Sequence, residues 1–334
     1  KVCRRGLEPP NPQQLLQVLI FIGLWLRRSF LFELRACDMI STPLSSHAAS
    51  PLCARLQAAL DALSCRADAL AFEAFSPLFW EERLIGRLAP SCAEALAGHP
   101  ALAGDAASRR LMLLGRHPGE AIEALGATLR EAGLAPALKG EAIDLFLTDE
   151  AGAPDANRSL GAVDRSLCRP FGLWTRAVRV TALLPGATLR AALMSPDTPA
   201  LLLSRRSKAK RIGAGLWDSL AAGMVQAGEA PCEAMRREAW EEAGLPESAW
   251  SAASSPREAV AVRPVPEGGL MREVTLEWVL PIAPDWTPEN RDGEASGFAP
   301  ASVERLLALL GERAVMPEAA AAAIRALLAQ ASDR

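Results

Sequence analysis

The stretch GMVQAGEAPCEAMRREAWEEAGL, Gly223 to Leu245, constrains this chain more than any other part of it. Pro231 suits the first turn of a helix, and Gly244 suits the position just past its end. Between them Glu238, Glu241 and Glu242 stand at i, i+3 and i+4, so a helix projects all three from one face. Cys232, Met235, Ala239 and Ala243 form a neighbouring apolar stripe that can anchor the helix to a sheet. Three carboxylates on one face repel one another. A hard divalent cation with oxygen ligands relieves that repulsion; magnesium fits best, and manganese can take its place.

The remaining chain narrows the classes of function. With 334 residues it is long enough for two domains, and with 50% apolar residues it can bury a sizeable core. A net charge of −3 argues against a protein built to grip a nucleic acid polymer. Local basic clusters can still hold a phosphorylated small molecule. The seven cysteines are odd in number, scattered, and never spaced C-x-x-C, which points to a reducing compartment without a disulfide framework. His47, His99 and His117 lack ligand-pair spacing, so a histidine metal site is not expected.

Residues 1–38 read as a non-native or flexible extension. Leu15 to Leu26 is apolar except for Gln17, yet too short for an ordinary membrane-spanning helix. Lys1, Arg4 and Arg5 precede it as in a signal peptide, but Arg27 and Arg28 follow where small residues would allow cleavage. The expectation is a native start near Met39 and a cytoplasmic protein without membrane attachment.

Periodicity predicts a helix over Pro51–Phe75, broken by Pro77. Leu78–Leu88 reads as a strand pair or a bent strand, turning near Glu81 and Glu82. A short helix follows at Ser91–Leu96, started by the serine. Leu111–Leu114 reads as a strand, Gly119–Ala132 as a helix, Ala142–Leu147 as a strand and Asp149–Asn157 as a loop. Ala162–Cys168 looks helical; Thr175–Leu184 and Ala200–Ser204 look like strands. Beyond the acidic stretch, Ala259–Pro266 and Glu273–Pro281 are predicted to pair across Gly268 and Gly269, and helices are predicted at Ser302–Leu310 and Pro317–Ala331.

An E-x-x-E-E cluster alone is common on solvated helices. Here Gly223, Glu229, Arg237, Glu238, Glu241, Glu242, Gly244 and Leu245 all fall in register with the Nudix box, from which only Ala239 departs mildly, being smaller than the usual aliphatic. The chain thus resembles the Nudix hydrolases. The resemblance implies an α/β fold, an α/β/α sandwich with a mixed sheet. It implies metal ligation by Glu241, Glu242 and the Gly223 carbonyl, with Glu238 as ligand or general base and Arg237 orienting the acids through Glu229. The metal would neutralise a diphosphate and activate a water for attack on phosphorus.

Upstream, Arg205, Arg206, Ser207 and Lys210, then Gly215, Trp217 and Asp218, resemble one Nudix subfamily. Asp292-Gly293-Glu294 with Phe298, and Arg165–Leu173, resemble it too. Its members carry a DUF4743-type domain before the Nudix domain and are related to Nudix domains joined to thiamine pyrophosphokinase. This implies a smaller α+β domain of that type at 39–165, and a Nudix domain at 166–334. It also implies thiamine diphosphate, or its oxidised forms, as substrate. Val178-Arg179-Val180-Thr181, where a His and an Asn are common, and Met224, in place of a second glycine, depart from the pattern and bear on substrate choice.

Arg205, Arg206, Lys208, Lys210 and Arg211 can supply charge for phosphate, or form a solvated basic loop. Glu294 is either a distal metal ligand or a turn acid. Trp217 and Trp278 can stack on a substrate ring or pack in the core. Trp240 falls off both helix faces and either packs against the N-terminal domain or is a partly exposed tryptophan without a function. Two further readings stand beside thiamine diphosphate hydrolysis. One is a nucleotide-type pyrophosphatase for ADP-ribose, dinucleotides or coenzyme A. The other is a non-catalytic Nudix module that binds a ligand.

Overall fold

The computed structural model describes residues 51–65, 74–104, 110–149, 153–186, 191, 195–265 and 268–329. The 1–38 extension, Met39, and positions 66–73 of the expected first helix lie outside the described residues, as do Gln330 and Ala331 of the expected last one. Apart from Asp149 and Ala153, every described residue falls in one compact unit. Among the described residues no helix is long and apolar enough to cross a membrane.

The first part runs α1 (Pro51–Cys65), β1 (Ser76–Trp80), β2 (Arg83–Leu88), α2 (Pro90–Ala95), β3 (Leu102–Ala103), β4 (Leu111–Leu113), α3 (Pro118–Glu131), β5 (Ala142–Thr148) and β6 (Pro154–Asp164). The second runs β7 (Trp174–Leu183), β8 (Pro199–Arg206), β9 (Trp217–Asp218), β10 (Ala221–Met224), α4 (Pro231–Ala243), β11 (Arg257–Pro264), β12 (Leu270–Pro281), β13 (Ala295–Ser302), α5 (Val303–Gly311) and α6 (Pro317–Ala329). The result is the expected mixed α/β fold with helices on both faces of a mixed sheet.

Three expectations are corrected. The short helix α2 is started by Pro90, not Ser91: Ala89 leads in with extended backbone, and proline presets the first helical φ. Strand β6 begins at Pro154, inside the expected loop, and runs to Asp164, inside the expected helix. Only Arg165–Leu167 coil, as a single 3-10 turn. Val163 is paired with Ile143 and both are buried, so cross-strand burial overrides the weak helical pattern. The strand β13 and the two-residue β9 were not legible at all.

The large sheet has the order β11-β12-β7-β8-β13, with β10 also on β7 and β9 on β8. Strands β7 and β12 are parallel; the other pairs are antiparallel. Strand β7 meets β8 only at Ala182 and Leu183, while Ala177–Val180 pair with β10. The sheet therefore divides there, and the segment leading to α4 starts at the division.

Alternation along β7 and β12 makes two unlike faces. Val178, Val180 and Trp278 join Ala234, Met235, Ala239 and Ala243 of α4 in one apolar core. The opposite face carries Thr175, Arg179, Glu273, Thr275 and Glu277, all buried. Helix α6 meets this polar face with charge: Arg325 pairs with Glu277, and Glu318 with Arg263 of β11 at 2.8 Å. The apolar side of α6 packs on α1 and α5 through Ile324, Leu327, Leu52, Leu56 and Leu306.

Candidate active site

The site begins where β10 leaves the sheet. Gly223 pairs with Val178, a short turn follows, and α4 returns across the apolar face. Pro231 occupies the first turn of α4, and Gly244 ends it in a left-handed conformation with φ +66°, which only glycine adopts without strain. A Cβ built on Gly223 would land on the Glu238 carboxylate, so any larger residue there has to displace that carboxylate.

Arg237 gathers the acids. Its guanidinium is bidentate to Glu229, at 2.8 and 3.0 Å, and donates to Glu238 Oε1 at 2.7 Å and to Glu241 Oε2 at 3.4 Å. It also donates to the Met224 carbonyl at 3.2 Å, which ties α4 to the strand before it. Glu229 accepts a further bond from the Gln226 N–H, and its carboxyl is held below the usual range chiefly by Arg237. Burial pushes Glu238 up, with Arg237 pulling against it.

Glu242 lies deeper, and burial drives its carboxyl up to about 8 against the pull of Lys210. Its Oε2 accepts the Ala222 N–H at 2.9 Å, and its Oε1 faces the Lys210 ammonium at 3.6 Å. Lys210 also pairs with Glu294. Burial lowers the Lys210 pKa, opposed by Glu242. One carboxylate oxygen each from Glu242, Asp292 and Glu294 lie within 4.8 Å of one another, a grouping able to hold a cation.

The acids that helical spacing puts on one face are therefore divided between two basic groups. Glu238 and Glu241 turn to Arg237; Glu242 turns with Glu294 to Lys210. The structure brings Gly223, Glu229, Arg237, Glu238, Glu241, Glu242, Glu294 and Lys210 into one neighbourhood. Asp292 joins them; its place in the Asp292-Gly293-Glu294 turn was the only available signal.

The other candidates lie differently. Asp218 is buried and accepts from Arg179 and from Arg206, each at 2.8 Å. Arg206 also donates to the Ile212 carbonyl, so it braces its own loop. Arg205 is exposed, with its guanidinium 5.7 Å from the Trp217 ring centre; Lys208 is exposed as well. Trp217 packs against the α5–α6 core, and Trp278 is buried under α4. One detail corrects the sequence reading. Cys232 is exposed, so the apolar stripe of α4 starts at Ala234. Trp240 is 47% exposed, the second of its two expected readings. Arg291 covers its ring at 3.5 Å, because the Glu289–Arg291 turn bonds back to Ala243 and Glu241.

An arginine-organised cluster of carboxylates at a sheet division, beside a basic loop, has the chemistry of a hydrolase for phosphoanhydrides. Residues 185–321 match the family model described as NUDIX domain. Over those residues the chain carries a Nudix domain. Solved structures similar to it include DR0079 from Deinococcus radiodurans, at 23% identity over 56% of this chain and 99% of that one, with a TM-score of 0.39. A MutT protein from Methanosarcina mazei is 17% identical over 48% of this chain and 96% of its own, with a TM-score of 0.33. An Ap4A hydrolase from C. elegans is 13% identical over 46% of this chain and 98% of its own, with a TM-score of 0.32. No curated protein matches the chain.

Proposed function

We propose that this Nudix domain hydrolyses the diphosphate of thiamine diphosphate, or of its oxidised derivatives, to the monophosphate. Support for the hydrolytic site comes from one observation: Glu238 fills the space a Cβ on Gly223 would take, so box glycine and box helix are built around a carboxylate. Support for the substrate comes from the spacing of Arg205, Arg206, Ser207, Lys210, Trp217 and Asp218.

The donor set suits a hard divalent cation, magnesium or manganese: Glu238, Glu241, Glu242 and Glu294, the Gly223 carbonyl, and Asp292 beside them. Such a cation supplies positive charge for the diphosphate and eases attack by water. Arg237 keeps Glu238 and Glu241 oriented, and Glu229 keeps Arg237 in place. Glu238, held above the ordinary carboxyl range by burial, suits removal of a proton from the attacking water. The water oxygen bonds to one phosphorus, the bridging P–O bond breaks, and the departing phosphate keeps the electron pair. Arg205, Lys208 and Lys210 offer charge to that phosphate. Asp218 acts by holding Arg206 rather than by meeting the substrate.

The test is a magnesium-dependent screen of thiamine diphosphate, its oxidised forms, ADP-ribose, dinucleotides and coenzyme A, with product identification. Turnover of a thiamine compound to its monophosphate is expected. Hydrolysis confined to nucleotide diphosphates would replace the proposed substrate and leave the site.

In this reading residues 39–165 form the DUF4743-like partner of a Nudix domain at 166–334. Its helix α1 would then reach across to α6, through Leu52, Leu56, Ile324 and Leu327 and through the bidentate Arg55–Glu304 pair at 2.6 and 2.8 Å.

A further inference from the structure

We propose that Lys210 is a built-in rival of the metal ion: it engages the same carboxylate oxygens, and metal loading turns its ammonium out of the acidic cluster towards the anionic substrate. The inference rests on the metal-dependent reading of this site.

The first ground is which oxygens are free. Glu242 has two, and Oε2 is taken by the Ala222 N–H at 2.9 Å. The other, Oε1, faces Lys210 at 3.6 Å. Glu294 meets the same ammonium through Oε2. Both acids belong to the group whose oxygens lie within 4.8 Å of one another, together with Asp292. A divalent cation binds such oxygens at roughly 2.0–2.6 Å. An ammonium cannot keep the same oxygens at contact distance, because the two positive charges would stand too close in a partly buried place.

The second ground is that the arrangement is built. The Lys210 side chain is 20% exposed, far less than a lysine on a solvated loop. Its loop is pinned on both sides. Before it, the Ser207 N–H donates to the Glu294 carbonyl at 2.8 Å, and the Lys210 N–H donates to the Ser207 carbonyl at 3.1 Å. After it, Arg206 Nε holds the Ile212 carbonyl at 3.1 Å while its Nη1 is anchored on buried Asp218. Strand β8 ends beside the start of β13, with Arg206 opposite Ala295, so the loop and Glu294 arrive together. The backbone is fixed and the side chain is what can move. A lysine has four rotatable bonds with which to leave the carboxylates from a fixed Cα.

The consequence is an ordered sequence. Lys210 holds Glu242 and Glu294 together before loading, and its charge reaches the phosphate only afterwards. Metal affinity is given up to pre-arrange the cluster.

The test is a titration of the full chain with Mn²⁺ alone, followed by the electron paramagnetic resonance of the free ion. Lys210→Met is expected to bind Mn²⁺ about tenfold more tightly than the unaltered chain. Lys208→Met removes the same charge from the exposed part of the loop, and its effect is expected to stay below about threefold. Acetic anhydride labelling read by mass spectrometry gives a second measure in the unaltered protein. Saturating Mg²⁺ should raise acetylation of Lys210 relative to Lys208, and EDTA should reverse the rise. Unchanged or weaker Mn²⁺ binding in Lys210→Met, or metal-dependent protection of Lys210, overturns the proposal while diphosphate hydrolysis stands. Absence of Mn²⁺ binding in both chains overturns the proposal and the metal-dependent reading together.

Discussion

Gly223 and Glu241 show how two residues of one motif are required for different reasons. At Gly223 the constraint is space, because the Glu238 carboxylate occupies the volume a side chain would need. That carboxylate ends a flexible side chain and can swing aside. Gly223→Ala should therefore leave the unfolding free energy within about 0.5 kcal/mol while turnover falls by about a hundredfold. Urea denaturation beside steady-state kinetics reads both, and a Gly223→Ala protein with full activity would refute the close-approach argument. At Glu241 the constraint is charge. Its side chain is 44% exposed and reaches Arg237 only at 3.4 Å, so the fold leans on it little. Glu241→Gln is expected to lose turnover by orders of magnitude with the fold intact. A non-catalytic binding module would keep its ligand affinity through the same change, which equilibrium dialysis would detect.

Among the elements, α4 and α6 lie against opposite kinds of surface on one sheet. Helix α4 buries small apolar side chains, an arrangement that tolerates the acids along its other side. Helix α6 is largely alanine where it begins, yet it faces buried Glu277 and brings Arg325 to it. Glu277 and Arg325 have side chains only 7% and 10% exposed, so removing one partner strands a charge out of water. Glu277→Gln should cost about 3 kcal/mol of stability in urea unfolding, and Glu277→Gln with Arg325→Met should recover part of that. Equal loss in the single and double variants would mean the pair is not coupled. Helix and strand positions here were largely readable beforehand because they depend on near neighbours. Hydrophobic spacing marks α3, α5 and α6, and the turn between β1 and β2 falls at Glu81 and Glu82, as read, with φ values of +46° and +64°. The β6 misreading shows the limit, since Val163 is recruited by Ile143, twenty residues upstream in sequence.

For the molecule as a whole, acid stability follows from the polar side of the sheet. Burial alone would raise the Glu318 carboxyl, but Arg263 and Arg179 outweigh it, and the folded value lies below the ordinary 4.5. A carboxyl depressed on folding contributes stability that is fully present above its unfolded value and lost as pH falls through the folded one. Glu318→Gln should therefore be less stable than the unaltered chain near neutral pH, and the gap should close below pH 4.5 as Glu318 takes up its proton. Urea midpoints measured from pH 7 down to pH 3 test this; a gap that widens in acid would reverse the sign and discard the account.

The spacing of Gly223, Glu229, Arg237, Glu238, Glu241, Glu242 and Gly244 determined the box helix, its ends and its acidic face, because one helical turn converts sequence distance into spatial distance by a fixed rule. No such rule links Lys210 to Glu242, Asp218 to Arg179, or Asp292 to the acids of α4. Their meeting depends on where the sheet divides and how strands β8 and β13 align, so only the tertiary structure decided that a lysine stands among the carboxylates of the site and that Asp218 is a buried brace. Exposure of Cys232 and Trp240 was decided in the same way. Burial is set by what arrives on the other side, and the residues that arrive come from distant parts of the chain.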